Sequence, residues 1–226
     1  MRWHFDDFIY GSIDGAVTTF AIVAGVIGAG LSPGIILILG FANLFADGFA
    51  MASANYQATK AKLEFIDMKQ KQEEWEIDNK GDQEKEEIRT IYKEKGFKGQ
   101  LLEDIVRIIT SRRKVWVDTM MREELGLIKD DKRPLDSSAN TFVGFNAVGV
   151  IPLIPFVVFL MFDFDVTSNA FFYSILSVIA AFLLVGMIKG KIVKKSMIRS
   201  GISTIIIGSI AATVAYLIGY GLHSLV

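Results

Sequence analysis

The sequence predicts an all-α membrane protein: five transmembrane helices, with a polar helical insert between the second and third. Two observations carry this. Four long stretches hold no charge at all: Gly15–Ala46 (32 residues), Ser137–Phe162 (26), Val166–Ile188 (23) and Ser200–Val226 (27). Runs of about 18 or more uncharged, mostly apolar residues are long enough to cross a hydrocarbon core. The charges are instead concentrated in 59–136, which holds 18 basic and 19 acidic residues. A soluble enzyme is excluded by the uncharged runs. A nucleic-acid binder built on net charge is excluded by the balance of 24 basic against 25 acidic residues.

The elements follow in order. The N-terminus, Met1-Arg2-Trp3-His4-Phe5-Asp6-Asp7, is acidic and has no apolar stretch ending in a cleavage site, so the first span is expected to serve as its own insertion signal. The run from Gly15 is too long for one crossing, and Ser32-Pro33-Gly34 interrupts it. A helical hairpin is therefore expected, with spans at roughly 12–31 and 35–58. Spans three to five fall near 138–162, 167–188 and 201–223. The domains are thus 1–58, a helical insert over 59–136, and 137–226. Within the insert, helices are expected over Lys60–Asn79, Gln83–Lys95, Leu101–Ser111 and Lys114–Leu125, with Asp82 as an N-cap and Gly96 and Gly126 as stops.

Orientation follows from the basic residues. Arg2, the 18 in the insert and five between Lys189 and Arg199 all fall on one side of a five-span topology. By the positive-inside rule that side is cytoplasmic, which places the C-terminus opposite. The cysteine count is zero, so disulfides, thiolate ligands and thiol catalysis are absent. His4 and His223, the only histidines, lie on opposite sides, and neither an H-E-x-x-H motif nor a phosphate loop occurs. Nothing here argues for an enzyme or a prosthetic group.

Asp14 and Asp47 lie in the predicted spans, where a carboxylate costs several kcal/mol (about 2.5–3.5 at mid-bilayer on insertion scales) unless it is partnered. No span offers a Lys or Arg, which leaves a proton, a metal cation or water. Asn43, Asp47 and Met51 recur at i, i+4 and i+8 and share a helix face. That mixed hard and soft donor set suits a transition metal, although a methionine on a span is most often a packing residue. In the insert, Glu73 with Glu76 and Glu84 with Glu87 recur at i, i+3, and the break at Gly81-Asp82 puts the two pairs on different helices able to face each other. Met120 and Glu124 stand at i, i+4. Facing carboxylates hold metals in helical bundles, whereas a solvated charged face is the plainer account. Small-xxx-small pairs (Gly11/Gly15, Gly25/Ala29, Gly48/Ala52, Gly208/Ala212) fit packing within one bundle and a dimer interface equally.

Four segments resemble the vacuolar iron transporter family. They are Asp14-Gly15-Ala16-Val17-Thr18-Thr19-Phe20-Ala21, the small-residue stretch Phe49-Ala50-Met51-Ala52-Ser53-Ala54-Asn55-Tyr56, Ile151-Pro152-Leu153-Ile154-Pro155, and Trp116-Val117-Asp118-Thr119-Met120-Met121-Arg122-Glu123-Glu124-Leu125-Gly126-Leu127. The last is the most specific, and the order holds over nearly the whole chain. The resemblance implies five spans per protomer, a homodimer with the path at or near its two-fold axis, and proton-coupled export of Fe²⁺ and related divalent ions such as Mn²⁺. It implies metal ligands at Glu73, Glu76, Glu84, Glu87, Met120, Met121 and Glu124, and a membrane path through Asp14 and Met51. It departs at Asn43, where the family carries a glutamate. Asp47, one turn along the same face, is the substitute carboxylate, about 6 Å away along the axis. The lipid bilayer and divalent metals are the expected partners, and a prokaryotic plasma membrane the expected location. Two other readings stay open: a membrane-anchored metal-sensing scaffold without transport, and an organic-cation transporter with a cavity lined by Phe41, Phe45 and Phe49.

Overall fold

A computed structural model describes residues 2–129, 131–162 and 168–223, without the side chains of Ser168 and Asn169. Among these residues there is no strand. The helices are α1 (Phe5–Gly28), α2 (Pro33–Asn79), α3 (Gly81–Glu94), α4 (Gly99–Thr110), α5 (Arg113–Glu123), α6 (Pro134–Gly149), α7 (Ile154–Met161), α8 (Ser168–Ile192) and α9 (Met197–Leu222). Five are long and apolar enough to cross a membrane, counting α6 with α7 as one span. The all-helical, five-span expectation therefore holds. Asp163 and Asp165, which the sequence puts between the third and fourth spans, lie outside the described residues.

The chain divides into two compact units, one of Met1–Gln57 with Lys132–Val226 and one of Ala58–Asp131. In the first, α1 packs on α6 and α9, and α8 packs on α9. Its core joins Ala16, Phe20 and Val23 of α1 to Phe145 and Val148 of α6, Phe156 of α7, Val178 and Phe182 of α8, and Ala212 of α9. The small-residue pairs are used inside this bundle. A Cβ at Gly15 would run into the carbonyl of Phe145, one at Gly144 into that of Phe8, and one at Gly208 into the ring of Phe182.

In the second unit, Ile66 and Ile77 of α2, Ile88 of α3, Leu102 and Val106 of α4, and Trp116, Val117, Met120 and Met121 of α5 form a separate apolar core. Gly96 and Gly126 both take positive φ, +97° and +63°, which only glycine adopts without strain, and each follows the end of a helix.

Three local expectations give way. The second span and the first insert helix are one continuous helix of 47 residues, because nothing between Ala58 and Lys60 breaks the backbone pattern. Asp82 falls inside the first turn of α3, and Lys80 stands at the N-cap without a side-chain cap bond. The third span is not one α-helix. Pro152 and Pro155 lack the N–H that an α-ladder needs, so Ile151–Leu153 forms a 3₁₀ turn between α6 and α7. Ser174 of α8 donates to the carbonyl of Pro152 at 2.7 Å, satisfying a group the hydrocarbon would leave bare.

Candidate metal centre and membrane carboxylates

The insert cluster is assembled from three helices. Glu73 projects from α2, Glu84 from the first turn of α3 and Glu124 from the C-cap of α5. One carboxylate oxygen from each lies within 4.8 Å of the other two. Glu73 and Glu84 are each only 3% exposed, whereas Glu124 opens to solvent. Glu73 Oε2 is buried and has no hydrogen-bond partner among the described residues. An ionised carboxylate in that position is costly unless a cation or proton joins it.

The electrostatics say the same. Burial first, then the charges of Glu124, Glu84, Glu76 and Glu87, push the Glu73 carboxyl up to about 7. Glu84 is likewise pushed up to about 7 by burial and by Glu87, Glu76 and Glu124, with Lys80 pulling the other way. Glu124 is raised by burial, Glu87 and Glu76, against the pull of Lys69. Five carboxylates thus share one field. Glu76 is half-buried and pairs with Lys80 at 3.7 Å, and Glu87 accepts from Gln83 at 3.3 Å.

Met120 is fully buried, and Met121 is nearly so, lining a cavity of about 460 Å³ with Asp118 and Glu123. Both sulfur side chains belong to the apolar core that carries the glutamates. The sequence spacing named six of the seven residues and the family resemblance added Met121; the structure brings Glu73, Glu84 and Glu124 together.

In the membrane unit, Asp14 of α1 and Asp47 of α2 are half-buried and close enough that their charges repel. Met51 is half-buried against the core. The Asn43 amide Nδ2 is buried with no partner among the described residues. Phe41, Phe45 and Phe49 are 37%, 65% and 69% exposed on α2, a surface position that lipid contact explains more simply than a ligand cavity.

Sequence reasoning missed one polar centre. Asp7 is buried at the start of α1, where it accepts from Asn55 Nδ2 at 3.0 Å and Ser137 Oγ at 2.7 Å and pairs with Lys132 Nζ at 2.8 Å. The only signal in the sequence was the i, i+7 spacing of Asp7 and Asp14, which puts both on one helix face.

Residues 5–220 match the VIT family. The chain is 35% identical over 217 residues to the vacuolar iron transporter of Toxoplasma gondii, covering 93% of this chain and 72% of that protein. It is 32% identical over 221 residues to the vacuolar iron transporter of Plasmodium berghei, covering 96% and 81%. It is also 30% identical over 211 residues to vacuolar iron transporter 1 of Arabidopsis thaliana, covering 93% and 82%. With a family match and relatives that each span nearly the whole chain, this multi-pass membrane protein belongs to the VIT family.

Proposed function

We propose that this protein is a proton-coupled antiporter that exports Fe²⁺, and related divalent ions such as Mn²⁺, from the cytoplasm, and so serves iron homeostasis. The observation that carries the reading is two half-buried carboxylates, Asp14 on α1 and Asp47 on α2, with no Lys or Arg on α1 or on α2 before Lys60 to neutralise them. Two carboxylates at membrane depth can exchange a metal cation for protons, since each proton bound lowers their affinity for the metal. Asn43 and Met51 complete the path on the same face as Asp47. The relatives' names support iron as cargo. The insert captures metal on the cytoplasmic side through Glu73, Glu84 and Glu124, with Glu76, Glu87, Met120 and Met121 completing its donor set.

The N-terminus and insert face the cytoplasm on the strength of the Lys/Arg distribution, and the functional unit is a homodimer with the path near its axis. A prokaryotic plasma membrane draws no support from relatives named vacuolar.

The test is Fe²⁺ and Mn²⁺ flux in proteoliposomes under an imposed proton gradient. Gradient-driven flux by the wild type, reduced at least tenfold by Asp14→Ala, is the expected result. No flux of either ion, in vesicles shown to hold folded protein, would favour the metal-sensing scaffold instead. The unpartnered Asn43 amide in place of a family glutamate is the observation that keeps that second reading in view.

A further inference from the structure

The acidic track does not end at Asp14. Asp7 lies on the same face of α1, seven residues and about 10 Å towards the helix start. On α2 the ladder Asn43, Asp47, Met51 continues at the same spacing to Asn55. Asn55 donates to Asp7 at 3.0 Å, joining the two helices at this end of the track.

At that end of the track a cation is already in place, and it is part of the protein. The Lys132 ammonium lies 2.8 Å from Asp7 and 2.6 Å from Asp6, with the lysine side chain only 18% exposed. A ring nitrogen of His4 comes within 4.8 Å of both carboxylates, and its Nε2 is buried without a hydrogen-bond partner among the described residues. Two carboxylates and an imidazole around an ammonium make the nitrogen and oxygen donor set that a divalent transition metal takes.

We propose that Lys132 is a tethered counter-cation that closes a carboxylate station, Asp7 with Asp6 and His4, and that the transported divalent cation displaces it. The proposal rests on the transport reading and adds a step to it. Removing one partner of a buried ion pair leaves a charge that demands replacement, so a metal takes the station once the ammonium leaves it. The long, flexible lysine stem lets the ammonium swing out to water without moving the backbone. Asn55 and Ser137 hold Asp7 in position whichever cation it faces.

The test counts metal sites in the full-length protein in detergent. A Glu73→Gln/Glu84→Gln background silences the insert, and Mn²⁺ binding is followed by its paramagnetic resonance. Lys132→Met, which keeps the apolar stem, is expected to add one Mn²⁺ site, bound at least tenfold more tightly than in its parent. Adding Asp7→Asn is expected to remove that site. A pair that only staples helices together predicts no gain, and a folded Lys132→Met protein with no new site overturns the proposal.

If Lys132→Met does not yield monodisperse protein, amine acylation read by mass spectrometry decides on the silenced background alone. Mn²⁺ is expected to raise modification of Lys132 several-fold, and labelling indifferent to Mn²⁺ overturns the proposal. Failure of the transport reading shows separately, as absence of flux by the wild type.

Discussion

Glu73 and Glu84 hold their protons to about pH 7 although an ordinary glutamate lets go near 4.5. Between those values the metal-free fold binds protons that the unfolded chain has already released. The pair's contribution to stability is therefore greatest at the acidic end of the window and is lost as pH rises through it. Metal binding needs the ionised forms, so affinity runs the other way and strengthens with pH. The expected result is that Glu73→Gln/Glu84→Gln raises the thermal midpoint of metal-free protein at pH 8 but has little effect at pH 5. In the wild type, Mn²⁺ affinity is expected to fall at least tenfold from pH 8 to pH 5.5. A double variant less stable than wild type at pH 8 without metal would contradict the buried cluster. The glutamates were legible in the sequence because i, i+3 spacing and a glycine break are local signals. The Asp7–Lys132 pair was not, because its partners lie 125 positions apart and only the packing of α1 against the start of α6 brings them together.

At the scale of elements, the helices that follow from composition were readable, and the places where one backbone meets another were not. A glycine at 144 is needed because the carbonyl of Phe8 on α1 occupies the space a methyl group would fill. Gly144→Ala is therefore expected to cost at least about 1–3 kcal/mol, as overpacking in a dense core does. Thermal unfolding of detergent-solubilised protein should show a midpoint several degrees lower, whereas Gly34→Ala, which meets open space, should leave it near that of the wild type. Equal midpoints would mean that α1 and α6 are not in backbone contact. The 3₁₀ turn in span three was foreseeable from Pro152 and Pro155; its repair by Ser174 was not, since a serine in an apolar run gives no sign of which carbonyl it will reach.

For the whole molecule, five crossings require the two ends of the chain to lie on opposite sides of the membrane. The cysteine-free sequence makes this directly measurable. Single cysteines introduced by Gln72→Cys in the insert and Gly221→Cys near the C-terminus are expected to react with an impermeant maleimide from opposite faces of sealed vesicles. Labelling from the same face is incompatible with three crossings between the insert and the C-terminus. The Lys/Arg distribution predicts further that Gln72→Cys is the cytoplasmic one.

The contact between α1 and α6 also divides the bundle mechanically. Where Gly15 and Gly144 bring main chain against main chain, no side chain is available to change rotamer, so the two helices tilt or slide only as one body. α2 rests on that body differently: Gly40 faces the side chain of Leu153, and Gly48 faces those of Asn146 and Phe145. Such contacts can be exchanged for others at little cost. In the transport cycle proposed above, motion would then belong to α2, with Asp14 the fixed carboxylate and Asp47 the travelling one. On that reading the gap between the two carboxylates would be the coordinate along which the site tightens on a cation or releases it.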